Sequence, residues 1–380
     1  MMEMIGRRVF YLSTTGRGGA LAILAGAVIA CAGLSPTQAD ADHKAIAQAA
    51  LSEVIRPGYA DFRAAAGDLR DKIESLCRVP SDAALDAAKQ AFAKTVGTWS
   101  KVEILRFGPV TENNRFERLF YWPDPKGLGL RQVQAALAKQ DEALTKPNTL
   151  AEKSVALQGL PALEYLLYGE ASATLARDDI MGSPSAFRCA FARSVSIDME
   201  RIATSLAEGW RPGAADAKSF LDPAPNDPRY HAQTEVTLDL FKSFTSGIEL
   251  VRDQKLGKPL GERPERARPK LAAFWRSGLT FENAAANLEG VRVLFARGGL
   301  AQVVAHESPG VEDSILFDLD RGIEVLRGID KPVEEAMRDG NVRAKLEALR
   351  ASLKSARDTA GDLIARGAGL SFGFNAMDGD

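Results

Sequence analysis

Apolar residues recur at helical spacing along most of the chain. In residues 81–106, Ser81 is a typical helix N-cap, and steps of three or four residues then connect Leu85, Ala88, Phe92, Val96 and Trp99. Similar spacing predicts helices over residues 187–202, 230–256, 271–297 and 332–366. There is no sustained alternation of β-branched residues, so the pattern predicts an all-α protein.

A proline-rich segment divides these helices into two groups. The stretch "LDPAPNDPRY" begins at Leu221, and its three prolines cannot continue a helix. We therefore predict an N-terminal helical bundle over residues 40–221, a linker over 222–229 and a C-terminal bundle over 230–380. The stretches "LQGLPALEYL" and "LEGVRVLFAR" share Leu-x-Gly before an apolar helix, which favours a duplication.

The first 39 residues have the pattern of a signal peptide. Arg7 and Arg8 precede the uncharged run Ala20–Leu34, and small residues lead to a cleavage site after Ala39. Two alternatives are a lipoprotein site at Cys31 and a twin-arginine signal at Arg7-Arg8. All three place the mature protein outside the cytoplasm, in the periplasm, and no later segment is long and apolar enough to span a bilayer.

Two cysteines remain after this leader, Cys77 and Cys189. An even pair in an oxidising compartment favours a disulfide between two distant helices, and two separate buried thiols are the alternative.

The charge balance excludes one class of partner. The sequence has 48 Lys and Arg against 50 Asp and Glu, which gives no field that would attract nucleic acid.

One helix carries charged residues in phase with its apolar stripe. The stripe that includes Trp99 continues to Glu103 and Arg106, near an irregular segment, residues 107–132, that is rich in aromatic residues. If the stripe faces the core, a carboxylate and a guanidinium three residues apart lie on the inner side of the bundle. Alternatively the phase drifts, and the charged pair is solvated.

A second candidate is the carboxylate within "LQGLPALEYLLYGE". Pro is favoured at the first helical position, so Pro161 would place Glu164 in the first helical turn. There the helix dipole favours a negative charge, which is a purely stabilising role. Its apolar neighbours favour function instead, because a buried carboxylate is costly unless it is paired or metal-bound.

Other polar residues could complete a ligand site. The three histidines are far apart, so no common zinc spacing occurs. A hard-cation or ferric site of carboxylates and tyrosines is an alternative, with Glu103, Glu164, Tyr165 and Asp124 as available ligands. Ser277 and Asn287 are polar positions within a predicted helix. They either line a polar cleft or face the solvent. Arginines on or near the irregular segment, Arg106, Arg115 and Arg118, suit an acidic ligand.

Several separated motifs resemble the imelysin-like proteins of bacterial envelopes: "LQGLPALEYLLYG", "WSKVEILRFGPV", "RFERLFYWPDPKGLGLRQVQAAL", "SGLTFENAAANLEGV" and "GFNAMDGD". The resemblance implies two four-helix-bundle-like domains that face each other across a cleft. It also implies a role in iron uptake or iron-regulated expression, and it brings a peptidase label.

The family signature is Gly-x-His-x-x-Glu. Gly159 and Glu164 match it, but Pro161 occupies the histidine position. Proline has no donor atom for a metal, so neither a His–Glu metal pair nor a histidine-assisted base is present at this site, and a peptidase activity is doubtful.

We therefore expect an extracytoplasmic binding protein linked to iron, whose ligand is a metal, a chelate or a small acidic molecule in the interdomain cleft. Iron or another divalent metal is the expected cofactor, with Glu164 as its candidate ligand. The alternatives are a metal-dependent peptidase or hydrolase and a non-catalytic module that docks on an envelope transport protein. The expected ligand-binding residues are Trp99, Glu103, Arg106, Arg118, Asp124, Gly159, Glu164, Ser277 and Asn287.

Overall fold

A computed structural model describes residues 41–177 and 183–370. The predicted signal peptide, its cleavage site, Cys31 and the motif at the C-terminus lie outside the described residues. Within the described ranges the regular structure is helical and no strand occurs, as the sequence predicts.

The first half of the chain forms two long helical runs, several short helices and a third long helix. The first run continues through a π-helical turn, Leu51–Ile55, between α1 and α2, and short 3₁₀ helices connect the others. The α-helices are α1 (His43–Ala50), α2 (Arg56–Arg78), α3 (Asp82–Val102), α4 (Arg115–Leu119), α5 (Leu128–Lys139), α6 (Pro147–Leu150), α7 (Gly159–Tyr168), α8 (Pro184–Gly209) and α9 (Ala215–Leu221). The 3₁₀ helices are Gly108–Asn114, Glu142–Thr145, Val155–Leu157 and Ser172–Ala176.

The second half begins with a helix that contains another π-helical turn, Leu250–Gly257. Two 3₁₀ helices, Pro264–Arg266 and Pro269–Leu271, precede a turn and the long helices of this half. The α-helices are α10 (Gln233–Glu249), α11 (Lys258–Leu260), α12 (Thr280–Arg297), α13 (Leu300–Glu307), α14 (Val311–Arg327), α15 (Val333–Ala336) and α16 (Gly340–Gly367).

Each half packs four helices in a ring. In the first half α2 contacts α3 and α8, and α7 closes the ring against both. In the second half α12 contacts α10 and α14, and α16 closes the ring against both. Apolar side chains from both halves form one continuous buried core. The division into domains at residues 222–229 and their origin by duplication stay predictions.

Two extensive helix–helix contacts join the halves. Helix α3 packs along α12, where a Cβ added at Gly290 would lie 2.1 Å from the carbonyl oxygen of Lys101. The first described helix, α1, packs on α10, and His43 Nδ1 lies 2.9 Å from Thr237 Oγ1. Ile46 of α1 is buried in the same core.

The start of α3 agrees with the sequence pattern, whereas the end of α3 and the start of α12 differ from it. Ser81 caps α3, since its side chain accepts a hydrogen bond from the amide of Ala84. The helix ends at Val102, so the prediction that it continues to Arg106 was wrong. The predicted helix over 271–297 begins only at Thr280.

The predicted disulfide is confirmed. Cys77, near the end of α2, is bonded to Cys189 of α8, with the two Cα atoms 5.6 Å apart. The bond ties together two helices that also pack along each other.

None of the helices within the described residues combines the length and the apolar character needed to cross a membrane.

Candidate functional site

The first group of predicted site residues forms a buried polar cluster where α3 meets α12, which consists of Ser100, Glu103, Lys255, Asn283 and Asn287. Lys255 Nζ donates to Glu103 Oε2 at 2.7 Å and to Asn283 Oδ1 at 2.8 Å. Asn287 Nδ2 donates to the same Glu103 oxygen at 3.0 Å, and to the backbone oxygen of Ser100. Glu103 and Lys255 are each 1% exposed, so this is a buried ion pair between the two halves of the chain.

The surroundings of this pair are aromatic and buried. Lys255 Nζ lies 5.3 Å from the ring centre of Phe120 and 5.7 Å from that of Trp122. Burial lowers the pKa of Lys255 below its ordinary value, and the neighbouring Glu103 partly opposes that shift. Glu103 Oε1 and Asn287 Oδ1 are buried and accept no hydrogen bond from the described residues.

Trp99 and Arg106 lie beside this cluster and have aromatic partners. Trp99 is fully buried and packs against Phe62 and Phe116 with ring centres 5.3 and 5.4 Å away. The Arg106 guanidinium lies 3.4 Å above the ring centre of Phe116, and its Nε donates to the backbone oxygen of Glu103 rather than to its carboxylate. The predicted Glu103–Arg106 side-chain pair is therefore absent, and Lys255 takes the place of the arginine.

The second group surrounds a cavity of about 270 Å³. Its lining comes from two separate parts of the chain, residues 120–165 and residues 270–276, which lie on either side of the predicted linker. Six aromatic residues contribute to the walls: Phe120, Tyr121, Trp122, Tyr165, Phe274 and Trp275. Two predicted site residues, Glu164 and Asp124, also line it.

Glu164 is the buried carboxylate of this cavity. It lies in the second turn of α7, so its predicted position in the first turn was wrong and the helix dipole does not account for it. Its Oε1 accepts hydrogen bonds from the Ser277 amide at 2.9 Å and from Ser277 Oγ at 2.8 Å. Burial raises the pKa of Glu164, and the Ser277 hydrogen bonds and the charge of Arg276 counteract only part of that rise.

Ser277 reaches Glu164 because the chain turns tightly before α12. Phe274 has φ +56°, an uncommon backbone conformation for a bulky residue, and Gly278 has φ +74°. Thr280 Oγ1 holds the turn together by donating to the backbone oxygen of Ala273 at 2.8 Å. Ser277 therefore lies in a strained turn at the cavity. The sequence pattern had predicted a helix there, and that prediction was wrong.

The same turn brings cations to the cavity. Arg276 stacks on Trp275 at 4.3 Å and on Tyr165 at 5.4 Å from the ring centres, and Lys270 Nζ lies 5.3 Å from the Trp275 ring. Within the described residues, neither cation has a carboxylate within salt-bridge distance.

The remaining predicted residues have structural partners. Arg118 Nη2 donates to both carboxylate oxygens of Asp198, at 2.7 and 2.9 Å, and Arg118 Nε donates to Gln158 Oε1. The Asp124 carboxylate accepts hydrogen bonds from the backbone amides of residues 128 and 129 at the start of α5. Gly159 has φ +68°, and a Cβ there would lie 2.3 Å from two backbone oxygens, so a larger residue does not fit.

A metal role for Glu164 stays a prediction. Within the described residues, no group of three or more His, Cys, Asp or Glu side chains lies close enough to hold a metal ion. Pro161, at the histidine position of the signature, lines the cavity beside Glu164 and offers no ligand atom. A metal bound here would need most of its ligands from a chelator.

Sequence reasoning missed Lys255, Arg276 and Trp275. Lys255 continues the apolar stripe of Phe244 and Ile248 in helical phase, and a lysine at an in-phase position is a usable signal. Arg276 and Trp275 gave no such signal, because their placement depends on the turn at Phe274.

Comparisons with known proteins agree with this architecture. The Imelysin family model matches residues 55–360. The iron-regulated protein A of Synechococcus elongatus is 20% identical over 326 residues, which cover 82% of this chain and 83% of that protein.

Two solved structures have a similar fold. An imelysin-like protein from Psychrobacter arcticum matches with a TM-score of 0.70 and 19% identity, over 87% of this chain and 97% of that chain. A protein from Parabacteroides distasonis, assigned as an iron-regulated protein A precursor, matches with a TM-score of 0.70 and 14% identity, over 85% of this chain and 95% of that chain. These identities support the fold alone, whereas the family model covers most of the sequence. The chain belongs to the imelysin family.

Proposed function

We propose that this protein is an extracytoplasmic binding protein that takes a small iron-linked ligand, a metal chelate or its acidic chelator, in the cavity at Glu164. The observation that carries the proposal is the cavity itself. It combines a buried carboxylate, Glu164, with two cations, Arg276 and Lys270, that lie outside salt-bridge distance of any carboxylate among the described residues. Concave sites with aromatic walls and a few convergent polar groups are typical of small-molecule binding.

The link to iron is supported by the relatives. Two proteins of similar sequence or fold are named as iron-regulated protein A. The placement outside the cytoplasm is supported by the signal-peptide pattern of residues 1–39 and by the disulfide.

Binding accounts for the cavity better than peptide hydrolysis does. A metallopeptidase needs a metal with an open coordination position and a base that activates water. Pro161 removes the histidine from the signature, and the two hydrogen bonds from Ser277 hold one oxygen of Glu164. A chelate brings its own ligand atoms and needs only shape, charge and a few hydrogen bonds from the protein.

Isothermal titration of the mature protein with ferric citrate, a ferric hydroxamate and the free ferric ion tests this proposal. We expect at least one iron complex to bind at micromolar or lower concentration, and Glu164→Gln to weaken that binding at least tenfold. Glu152→Gln is the matched control, because Glu152 is exposed and does not line the cavity. Absence of binding by every iron form would refute the iron function, and equal affinity in wild type and Glu164→Gln would refute the site.

A further inference from the structure

One side of the cavity is built from flat rings packed in parallel. The rings of Phe120 and Phe274 lie 5.2 Å apart at an interplanar angle of 15°. The Trp122 ring continues this stack, 5.8 Å from Phe120 at 22°. Lys255 lies close to the rings of Phe120 and Trp122, and the Trp122 indole donates to the backbone oxygen of Leu271 at 3.2 Å, so the stack is held in place.

The free hydrogen-bonding groups of the cavity are mostly donors. Arg276 and Lys270 have cation–π contacts, and neither lies within salt-bridge distance of a carboxylate among the described residues, although the Arg276 charge acts on Glu164. The Tyr165 hydroxyl accepts a hydrogen bond from Gln134 Nε2 at 3.1 Å, so its own proton remains available to a ligand. Both oxygens of the Asp124 carboxylate already accept hydrogen bonds from backbone amides, so Asp124 offers the ligand few free acceptor positions. This balance favours a ligand with a negative group.

Glu164 adds one acceptor to these donors. Ser277 occupies its Oε1, which leaves the second oxygen without a side-chain donor in the described residues. The Arg276 backbone also hydrogen-bonds to this carboxylate, and a ligand hydroxyl group could donate to its remaining acceptor positions.

The size of the cavity limits the ligand. At about 270 Å³ it lies below the range of about 300–1,000 Å³ that is usual for drug-sized molecules. A single ring with short substituents fits this volume better than a large multi-ring chelator.

We propose that the cavity binds a planar aromatic acid with a ring hydroxyl, of the hydroxybenzoate class. The ring lies against the aromatic walls, the acidic group pairs with Arg276 and Lys270, and the hydroxyl donates to Glu164. Guanidinium groups bind carboxylates through two parallel hydrogen bonds, and its stacking on Trp275 orients the Arg276 group for this role. The inference rests on the proposed function, since it names the ligand class of the same cavity.

The experiment is a titration of the mature protein with 2,3-dihydroxybenzoate, monitored by calorimetry and by tryptophan fluorescence. Cyclohexanecarboxylate, which keeps the acid without the aromatic ring, and benzamide, which keeps the ring without the charge, are the matched ligands. We expect the dihydroxybenzoate to bind at least tenfold more tightly than either. Arg276→Gln should weaken its binding at least tenfold, whereas Arg297→Gln, a change at an exposed arginine outside the cavity, should leave it unchanged. Thermal unfolding of both variants verifies that they are folded.

The outcomes separate this inference from the proposed iron function. If ferric citrate binds in a Glu164-dependent manner and the aromatic acids do not, the ligand class is wrong and the iron function stands. If the dihydroxybenzoate binds as expected and no iron complex does, the ligand class is right and the chelate form of the proposed function is wrong. Equal affinity for the aromatic and the cyclohexane acid, or unchanged binding by Arg276→Gln, also overturns the inference.

Discussion

The buried pair between Glu103 and Lys255 has a measurable effect on stability. In Lys255→Met the apolar stem is kept and the ammonium group is removed. The Glu103 carboxylate then retains only the Asn287 hydrogen bond to Oε2, and its charge stays buried without a hydrogen-bonded cation. Removal of one partner of a buried ion pair typically costs about 3–5 kcal/mol. Both side chains are 1% exposed, so solvent cannot replace the lost contact, and we expect about 4 kcal/mol.

The double variant Glu103→Gln/Lys255→Met distinguishes the pair from simple packing. It removes both charges together and leaves no uncompensated ion, so we expect it to lose much less than the sum of the two single changes. The coupling energy should be about 2 kcal/mol or more, well above the value of about 0.5 kcal/mol that is typical of independent sites.

Guanidinium unfolding at neutral pH, with the disulfide intact, measures the free energy of unfolding of the four proteins in this cycle. A chain of this length has an unfolding entropy of about 0.7–0.8 kcal/mol/K, so a loss of about 4 kcal/mol also lowers Tm by about 5 °C. The control is Lys354→Met, which removes an exposed pair with Asp358, where the Lys354 side chain is 65% exposed, and should cost less than about 1 kcal/mol. If Lys255→Met is as mild as this control, or if the two single changes add, the reasoning about burial is refuted.

Three further predictions concern the cavity and the disulfide. Burial raises the pKa of Glu164, so the folded protein binds a proton there more tightly than the unfolded chain does. Wild-type stability should therefore fall relative to Glu164→Gln as pH rises from the ordinary glutamate pKa through the raised pKa. Urea unfolding at a series of pH values measures this difference. Replacement of both Cys77 and Cys189 by serine should lower the free energy of unfolding by about 2–5 kcal/mol, because the bond closes a loop with a sequence separation of 112 residues. Pro161→His places an imidazole three residues before Glu164 at the cavity, and we expect at least a tenfold gain in Zn²⁺ affinity by calorimetry.

Each of these three predictions can be contradicted by a specific result. A stability difference between wild type and Glu164→Gln that does not vary with pH would show that the carboxyl titrates normally. Unfolding of the double serine variant at the wild-type denaturant concentration would assign the stability to packing alone. Zinc affinity of Pro161→His no greater than that of wild type would show that the two side chains do not face the same space.

The helical fold was predictable because the apolar positions repeat with the helical period. Ser81 at the start of α3 and the stripe after it are local signals, and they were sufficient to place that helix. The disulfide was predictable from the number of cysteines remaining after the predicted leader. The end of α3 was not, because Glu103 and Arg106 continue the stripe in phase although the helix stops at Val102.

The site was less predictable, because it depends on contacts between residues far apart in the sequence. Glu103 was identified, but its partner Lys255 lies 152 residues away in a polar stretch. The turn that delivers Ser277 to Glu164 depends on Phe274 in a left-handed conformation, which phenylalanine rarely adopts, so the sequence favours a continuous helix there.

The position of α1 has a consequence for the order in which the protein folds. Among the described helices this one is synthesised first, yet it packs on α10 in the other half of the chain, and Lys44 pairs with Asp222 at 3.0 Å. Chains are synthesised from the N-terminus, so the apolar face of α1 remains exposed to water until well over half of the protein has been made. Folding of the first half alone therefore cannot complete the core, and a chaperone that recognises short amphipathic helices would have α1 as a target throughout that interval.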